Sequence, residues 1–300
     1  MIPFVRAFDF AYGRRDQVSP LIQRVVADNP GPFTFTGTGT YIVGRPDPGA
    51  AVAVLDPGPL DTAHLEALMV AVEGRRVSHV LVTHTHRDHA PLARPFAERT
   101  GATILAARPP ARETHASGAL DEEDDSEFAP DIVLSGGEAI RGGGWTLEAL
   151  FTPGHASNHM AFALEEENAL FSGDHVMGWS TTVVAPPDGD MRAYMDSLDR
   201  VIARGFSTLW PTHGPPITDV APFLEAYRAH RQDREQQILR RIIAGDRAIA
   251  QIVPALYAGV DQRLWPAASL SVLAHLIKLV EEGRIAADPT PSLSATFAPA

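Results

Sequence analysis

Within Thr83-His84-Thr85-His86-Arg87-Asp88-His89, three imidazoles and one carboxylate occupy six consecutive positions directly after the apolar run Val80-Leu81-Val82. A polar loop with incidental histidines would explain one of these residues, not four. A strand that ends in a sharp turn can aim all four side chains at one point. Buried imidazoles crowded together need partners for their nitrogens, and a metal ion supplies them. The H-x-H-x-D-H spacing therefore predicts a metal site. Three further polar residues follow apolar strands in the same manner: His155 in Thr152-Pro153-Gly154-His155, Asp174 in Phe171-Ser172-Gly173-Asp174, and His213 in Trp210-Pro211-Thr212-His213-Gly214. In each case Pro or Gly permits the close turn that presents the ligand.

The elements that must deliver these residues are readable from periodicity. Residues 33–44 read as a strand broken by Gly37 and Gly39, with residues 51–55 as its partner, ending at Asp56-Pro57-Gly58. Asp61 can cap a helix to about Glu73, and residues 77–82 form the strand that carries the histidine cluster. A helix over 91–99 and a strand over 102–105 make another β/α unit. Strands are predicted at 132–134, 145–151, 160–164 and 169–171, the last two flanking Glu165–Asn168 as a hairpin. A helix over 191–203 and a strand over 208–210 complete the pattern. Strands and helices alternate with antiparallel hairpins, which predicts an α/β fold with mixed sheets covered by helices. Beyond about Pro222 the character changes: helices are predicted over 223–244, 247–257 and 267–282, and Gly283-Arg284-Ile285-Ala286 turns into a short strand. Three helices and a β-wing form a winged-helix pattern. The expected organisation is an α/β domain carrying the metal ligands over 1–222, a helical winged-helix-like domain over 223–290 and a flexible tail over 291–300.

The ligand motifs and their order resemble those of the metallo-β-lactamase superfamily over about Phe33 to Gly214. That resemblance implies an αββα sandwich with metals at the edge between two sheets. It implies that His84, His86 and His155 hold one ion, that Asp88, His89 and His213 hold a second, and that Asp174 bridges them. Seven nitrogen and oxygen ligands suit two divalent ions. Zinc leads, and donor softness excludes neither iron nor manganese. The implied reaction is attack of a metal-bridging hydroxide on an ester, thioester or amide carbonyl, with Asp88 also orienting the nucleophile. Asp56 resembles the strand-end aspartate that supports a ligand imidazole. His159 is expected to be a structural hydrogen-bonding residue, and the role of His175 stays open. Thr181 and Tyr194 are candidates to face substrate, although Tyr194 suits the core of an amphipathic helix equally well.

A finer resemblance, to the beta-lactamase-like protein 2 group, rests on four stretches: Gly37-Thr38-Gly39-Thr40-Tyr41-Ile42-Val43-Gly44, Thr181-Thr182, Tyr194-Met195-Asp196-Ser197-Leu198, and His275 through Arg284. That group carries a winged-helix-like appendage and includes single-strand RNA nucleases and thioester hydrolases acting on acyl carriers. Gly39 departs from it, since the group usually has Asn there.

Composition narrows the partners. The chain has 300 residues, 45% of them hydrophobic, and a net charge of −12, which argues against a broadly basic nucleic-acid footprint. Six of the acids sit in Asp121–Glu127, read as a solvated loop. The absence of cysteine rules out disulfides, thiolate ligands and a Cys nucleophile. No basic-then-apolar leader is apparent at the N-terminus, and no apolar run approaches the ~18 residues of a membrane span. The expectation is a cytoplasmic protein without membrane contact, acting on a small-molecule or acyl-carrier substrate, with a homodimer possible.

The competing expectation is a metal-dependent phosphodiesterase or endoribonuclease on single-stranded RNA, with Arg228, Arg231, Arg234, Arg240 and Arg241 gripping the backbone. Asp233 and Glu235 dilute those arginines, which favours a solvated helix face instead. A winged-helix DNA reader is disfavoured, because the stretch 269–282 offers only Lys278 and His275 as basic contacts.

Overall fold

The computed structural model describes residues 1–109, 125 and 128–300. The first sheet has seven strands: β1 (Arg15–Gln17), β2 (Ile22–Val26), β3 (Gly39–Val43), β4 (Ala51–Leu55), β5 (Arg76–Val82), β6 (Thr103–Ala107) and β7 (Ile132–Leu134), hydrogen-bonded in that order. β1 to β4 pair antiparallel, whereas β4 to β7 run parallel. The parallel strands need crossovers, and α1 (Thr62–Ala71) and α2 (Ala93–Thr100) supply two of them. Asp61 caps α1 as its side chain accepts from the Ala63 N–H at 2.9 Å.

The second sheet contains β8 (Ala139–Gly142), β9 (Trp145–Phe151), β10 (Met160–Leu164), β11 (Ala169–Gly173) and β12 (Thr208–Pro211), with β12 parallel to β11 and the rest antiparallel. Side-chain alternation sorts each strand between two cores. On β9 and β10, Trp145, Leu147, Ala149, Met160, Phe162 and Leu164 meet Tyr41, Val43, Leu55 and Leu81 of the first sheet. Ala161 and Ala163 point the other way, into α3 (Met191–Arg204) and α4 (Val220–Ile243). The first sheet buries its outer face under α1 and α2 through Leu68, Ala93 and Phe96. The result is helix, sheet, sheet, helix, as expected.

Two strand expectations need correction, whereas the hairpin across Glu165–Asn168 is as expected. Only residues 39–43 of the 33–44 stretch are strand; before them Phe35 takes a left-handed backbone (φ 56°), and a Cβ at Gly37 (φ 118°) would strike the Ala27 carbonyl. Gly39 therefore lies within a strand, where its N–H donates to the Thr212 carbonyl at 2.7 Å. The turn at Glu165–Asn168 is a 3-10 turn closed by left-handed Asn168.

Past the sandwich come α5 (Ile249–Leu256), α6 (Trp265–Glu281) and the hairpin of β13 (Ile285–Asp288) with β14 (Thr296–Pro299). The tail expected to be flexible is instead the second strand of this wing. Phe297 anchors it, 1% exposed among Ile238, Ile242, Leu276 and Leu279. The run Gln262–Glu281 is long and apolar enough to cross a membrane, contrary to the sequence expectation, but half of its best window is buried within the fold, as in a core helix. α4 is shared: Phe223, Leu224 and Tyr227 pack on the second sheet, while Ile238 and Ile242 belong to the C-terminal core. Of the acidic run at 121–127, all but Asp125 lies outside the described residues, and the Asp125 N–H donates to the Thr85 carbonyl at 2.6 Å.

Candidate metal centre

All seven predicted ligands meet at one edge of the sandwich, where β5, β9, β11 and β12 end. They form three overlapping groups: His84, His86 and His155; His84, His89 and Asp174; and Asp88, His89 and His213. Within each group the ligand atoms lie within 4.8 Å of one another. His213 Nε2 sits 3.0 Å from Asp88 Oδ2 and 3.4 Å from Asp174 Oδ2, and His155 Nε2 is 3.9 Å from the latter.

Hydrogen bonds on the far side of four of the five rings fix which nitrogen faces inward. His155 Nδ1 donates to the Val183 carbonyl at 2.7 Å and His213 Nδ1 to the Gly37 carbonyl at 3.2 Å. His89 Nδ1 is held by Asp56 Oδ2 at 2.9 Å. Thr83 Oγ1 donates to Asp56 at 2.8 Å, so its lone pair is left to accept from His84 Nδ1 at 3.0 Å. Four imidazoles thus direct Nε2 at the centre, and His86 brings Nδ1 to 2.9 Å from His84 Nε2. This is the arrangement by which outer partners orient metal-binding histidines. His89 Nε2, His155 Nε2 and Asp174 Oδ1 are buried without a hydrogen-bond partner, so polar atoms converge on space where a cation, displacing any proton on the rings, would satisfy them.

Asp56 anchors the arrangement as predicted. Besides His89 and the Thr83 hydroxyl, it accepts from the Thr83 N–H at 2.8 Å and from Thr212 Oγ1 at 3.0 Å, tying the ends of β5 and β12 together. Its own backbone is left-handed, with φ 47°. Gly173 is required one residue before Asp174, because φ is 53° and a Cβ there would come within 2.5 Å of His159 Nε2.

The charges are coupled. Burial would raise the Asp88 and Asp174 carboxyls, but the neighbouring His89 and His213 hold both well below the usual range. Burial would lower His89 and His213, yet Asp88 and Asp174 carry His89 well above its ordinary value and His213 to about 10. His84 goes the other way: burial, then the fields of His89 and His86, push it well below. The Asp88 side chain is 21% exposed while its partners His89 and His213 are at most 1%, which makes it the acid that faces arriving water.

The remaining expectations divide. His159 is structural: its Nε2 accepts from the Asp174 N–H at 3.1 Å, so Nδ1 carries the proton and donates to Thr152 Oγ1 at 2.8 Å. His175 is buried with neither nitrogen partnered, and burial pushes it down to about 3. Tyr194 is a core residue, fully buried, whose hydroxyl donates to the His175 carbonyl at 2.8 Å. Thr181 does line the cavity beside the centre. That cavity, about 260 Å³, begins at His155 and Asp174 and extends past Phe33, Met177 and Trp179 to α4 and α6. The reading of the five arginines as one solvated face is corrected. Arg228 pairs with Asp199 and Glu225, Arg240 with Asp233 and Arg241 with Asp246, but Arg231 is buried and Arg234 turns to the cavity. Arg-for-Arg spacing along α4 held the signal: positions 231 and 234 share a face with the buried Tyr227 and Ile238. His275, buried against α4, is not available to read DNA.

Residues 34–213 match the metallo-beta-lactamase superfamily, with the donor set at the ends of the strands that this match spans. The chain belongs to that superfamily. It is a hydrolase whose His and Asp clusters can bind metal ions. Residues 248–290 match the beta-lactamase associated winged helix domain. Lactamase-like protein adaB of Aspergillus niger is 30% identical over 99% of this chain and 95% of its own length. The atrochrysone carboxyl ACP thioesterase of Aspergillus chevalieri is 35% identical over 74% of this chain and 66% of its own. Among solved structures, a beta-lactamase domain protein from Burkholderia ambifaria shares the fold with a TM-score of 0.80 at 22% identity, covering 100% of this chain and 97% of that one. A metallo-beta-lactamase family protein from Thermus thermophilus gives 0.75 at 24%, covering 95% and 100%.

Proposed function

We propose that this hydrolase uses two divalent metal ions to cleave the thioester of an acyl group delivered on a carrier. The observation that carries this reading is the cavity that opens on His155 and Asp174 and is walled by apolar and aromatic side chains, the environment an acyl chain or ring requires. The thioesterase activity named for the Aspergillus chevalieri relative supports the same class. His84, His86 and His155 would hold one ion, Asp88, His89 and His213 the other, with Asp174 between them. Zinc suits this donor set, as would iron or manganese. Bound there, two ions would bring the pKa of water to about 7 and stabilise the oxyanion formed from the carbonyl.

The chain's own contribution is placement. Asp56, Thr83 and Thr212 fix the ends of β5 and β12, while Val183 and Gly37 lock two rings through their carbonyls. Asp88, ionised and the most exposed carboxylate of the donor cluster, would orient the attacking water by accepting a hydrogen bond from it. The acyl group lies along Phe33, Met177 and Trp179, which exclude bulk water from the carbonyl.

Action on single-stranded RNA is less well served, because the arginines of α4 do not share one surface. The deciding experiment is a panel of acyl-pantetheine thioesters, simple esters, lactams and single-stranded RNA, assayed with metal content measured in parallel. Thioesters should be the fastest substrates, with about two metal equivalents per chain. Turnover confined to RNA would reject the proposal.

A further inference from the structure

The cavity changes chemistry at its far end. There α4 contributes His230, Arg231 and Arg234, and α6 contributes His275. Arg231 is only 5% exposed. One of its terminal nitrogens donates to the Thr182 carbonyl, and its Nε is buried with no partner. Its guanidinium lies 5.0 Å from the ring centre of Tyr194 and 5.8 Å from that of Tyr227. Arg234 donates Nη1 to the Leu256 carbonyl at 3.1 Å and sits 4.2 Å over Tyr257.

Neither guanidinium has a carboxylate counter-ion among the described residues. The two acids nearest in sequence are otherwise engaged: Asp233 with Gln237 at 2.6 Å and Arg240 at 3.9 Å, Glu235 with Lys278 at 2.8 Å and Arg284 at 3.2 Å. A guanidinium cannot shed its proton to escape burial. A buried charge left unpaired is unfavourable, and backbone carbonyls and ring faces compensate it only in part. The missing partner is an anion, and the side of Arg231 that lines the cavity is where it would arrive.

Resting on the reading that this cavity holds the acyl part of a thioester, we infer that Arg231, backed by Arg234, binds an anionic oxygen at the distal end of that acyl group. The preferred substrates are then thioesters whose acyl part is itself acidic. The planar fork of Arg suits a carboxylate, and the aromatic walls at Phe33, Trp179 and Tyr257 suit a flat group between carboxylate and thioester. The other anion a carrier could bring is the phosphate of its pantetheine arm, and the test separates the two.

Calorimetry on the metal-loaded full chain would compare naphthalene-2-carboxylate, its neutral carboxamide and 4′-phosphopantetheine, and be repeated after chelation. The carboxylate should bind at least about 10-fold tighter than the amide, a margin expected of a charge-assisted bond. That preference should survive chelation and fall severalfold in Arg231→Gln, which removes the charge and keeps a polar side chain. If a thermal melt shows that variant unfolded, Arg234→Gln carries the test with a smaller loss of preference. Equal binding of acid and amide would overturn the inference. So would a preference that disappears on chelation, one unchanged in the folded variants, or an Arg231 effect confined to phosphopantetheine. Thioesterase turnover that ignores acidity would sink this inference alone, whereas absence of any thioesterase turnover would remove the functional proposal beneath it.

Discussion

The donor cluster and the helical end of the cavity are both rich in buried histidine and charge, and they treat it in opposite ways. At the cluster, four of the five rings have an outer nitrogen tied to a named acceptor, and carboxylates offset the imidazolium charge. At the helical end, His230 is pushed down to about 4 by burial, and two guanidiniums have no carboxylate beside them among the described residues. Polar groups arranged to receive a cation need outer supports and negative charge. Groups arranged to receive an anion need neutral neighbours and an uncompensated positive charge. One cavity joins the two.

The strongest way to break the contrast is to remove the carboxylate that all routes across the cluster share. On the proposed two-ion reading, Asp174→Ala should lower the bound metal to one equivalent or fewer and abolish the proposed thioesterase turnover, as read by elemental analysis and the thioester assay. Asp56→Asn keeps every ligand but loses the charge holding His89, Thr83 and Thr212. Metal affinity should fall about 10- to 100-fold, measured by competition with a chromophoric chelator, while the melting curve changes much less. Proton linkage sharpens the picture further. With His213 raised to about 10 and His89 also raised, both hold protons at neutral pH that an ion must displace. Metal uptake at pH 7 should therefore release protons, seen as different apparent enthalpies in buffers of different ionisation heat. Affinity should strengthen as the pH rises toward 10. Uptake without proton release would contradict the charge state assigned to the cluster.

The smallest effect belongs to the helical side. Burial would raise Glu235, but the neighbouring His275 and the Lys278 ammonium, which donates to it at 2.8 Å, bring it from 4.5 to about 2. A depressed carboxyl stabilises the fold above its unfolded value, so this contribution is present above about 4.5 and lost as pH falls toward 2. Glu235→Gln should cost about 2 kcal/mol in urea unfolding at pH 7 and progressively less on acidification.

The sequence showed the cluster plainly because ligand type, spacing and strand ends agree, and each ligand follows an apolar run whose end is sharply bounded. Strands β9 and β10 were legible for the same reason, as Trp145, Leu147, Met160 and Phe162 alternate with smaller or polar neighbours. β1 and β2 were not. Gln23 and Arg24 are buried within β2, Arg24 beneath the ring of Phe8 at 4.4 Å, so the strand lacks any apolar period. The wing strand β14 looked like a frayed end because Pro, Ala and Ser surround its one anchoring residue, Phe297. The only local mark of Arg231's burial was its helical spacing from Tyr227 and Ile238, and the tertiary approach of Thr182 and Tyr194 is what makes that face an inner one.

α4 runs 24 residues without a break, and one half is rooted in the sandwich while the other is rooted in the winged helix. A strut of that kind leaves no pivot between the two bodies. The chamber wall carried by α4 is thus a fixture rather than a door, and on that side selectivity must come from the fit of what enters.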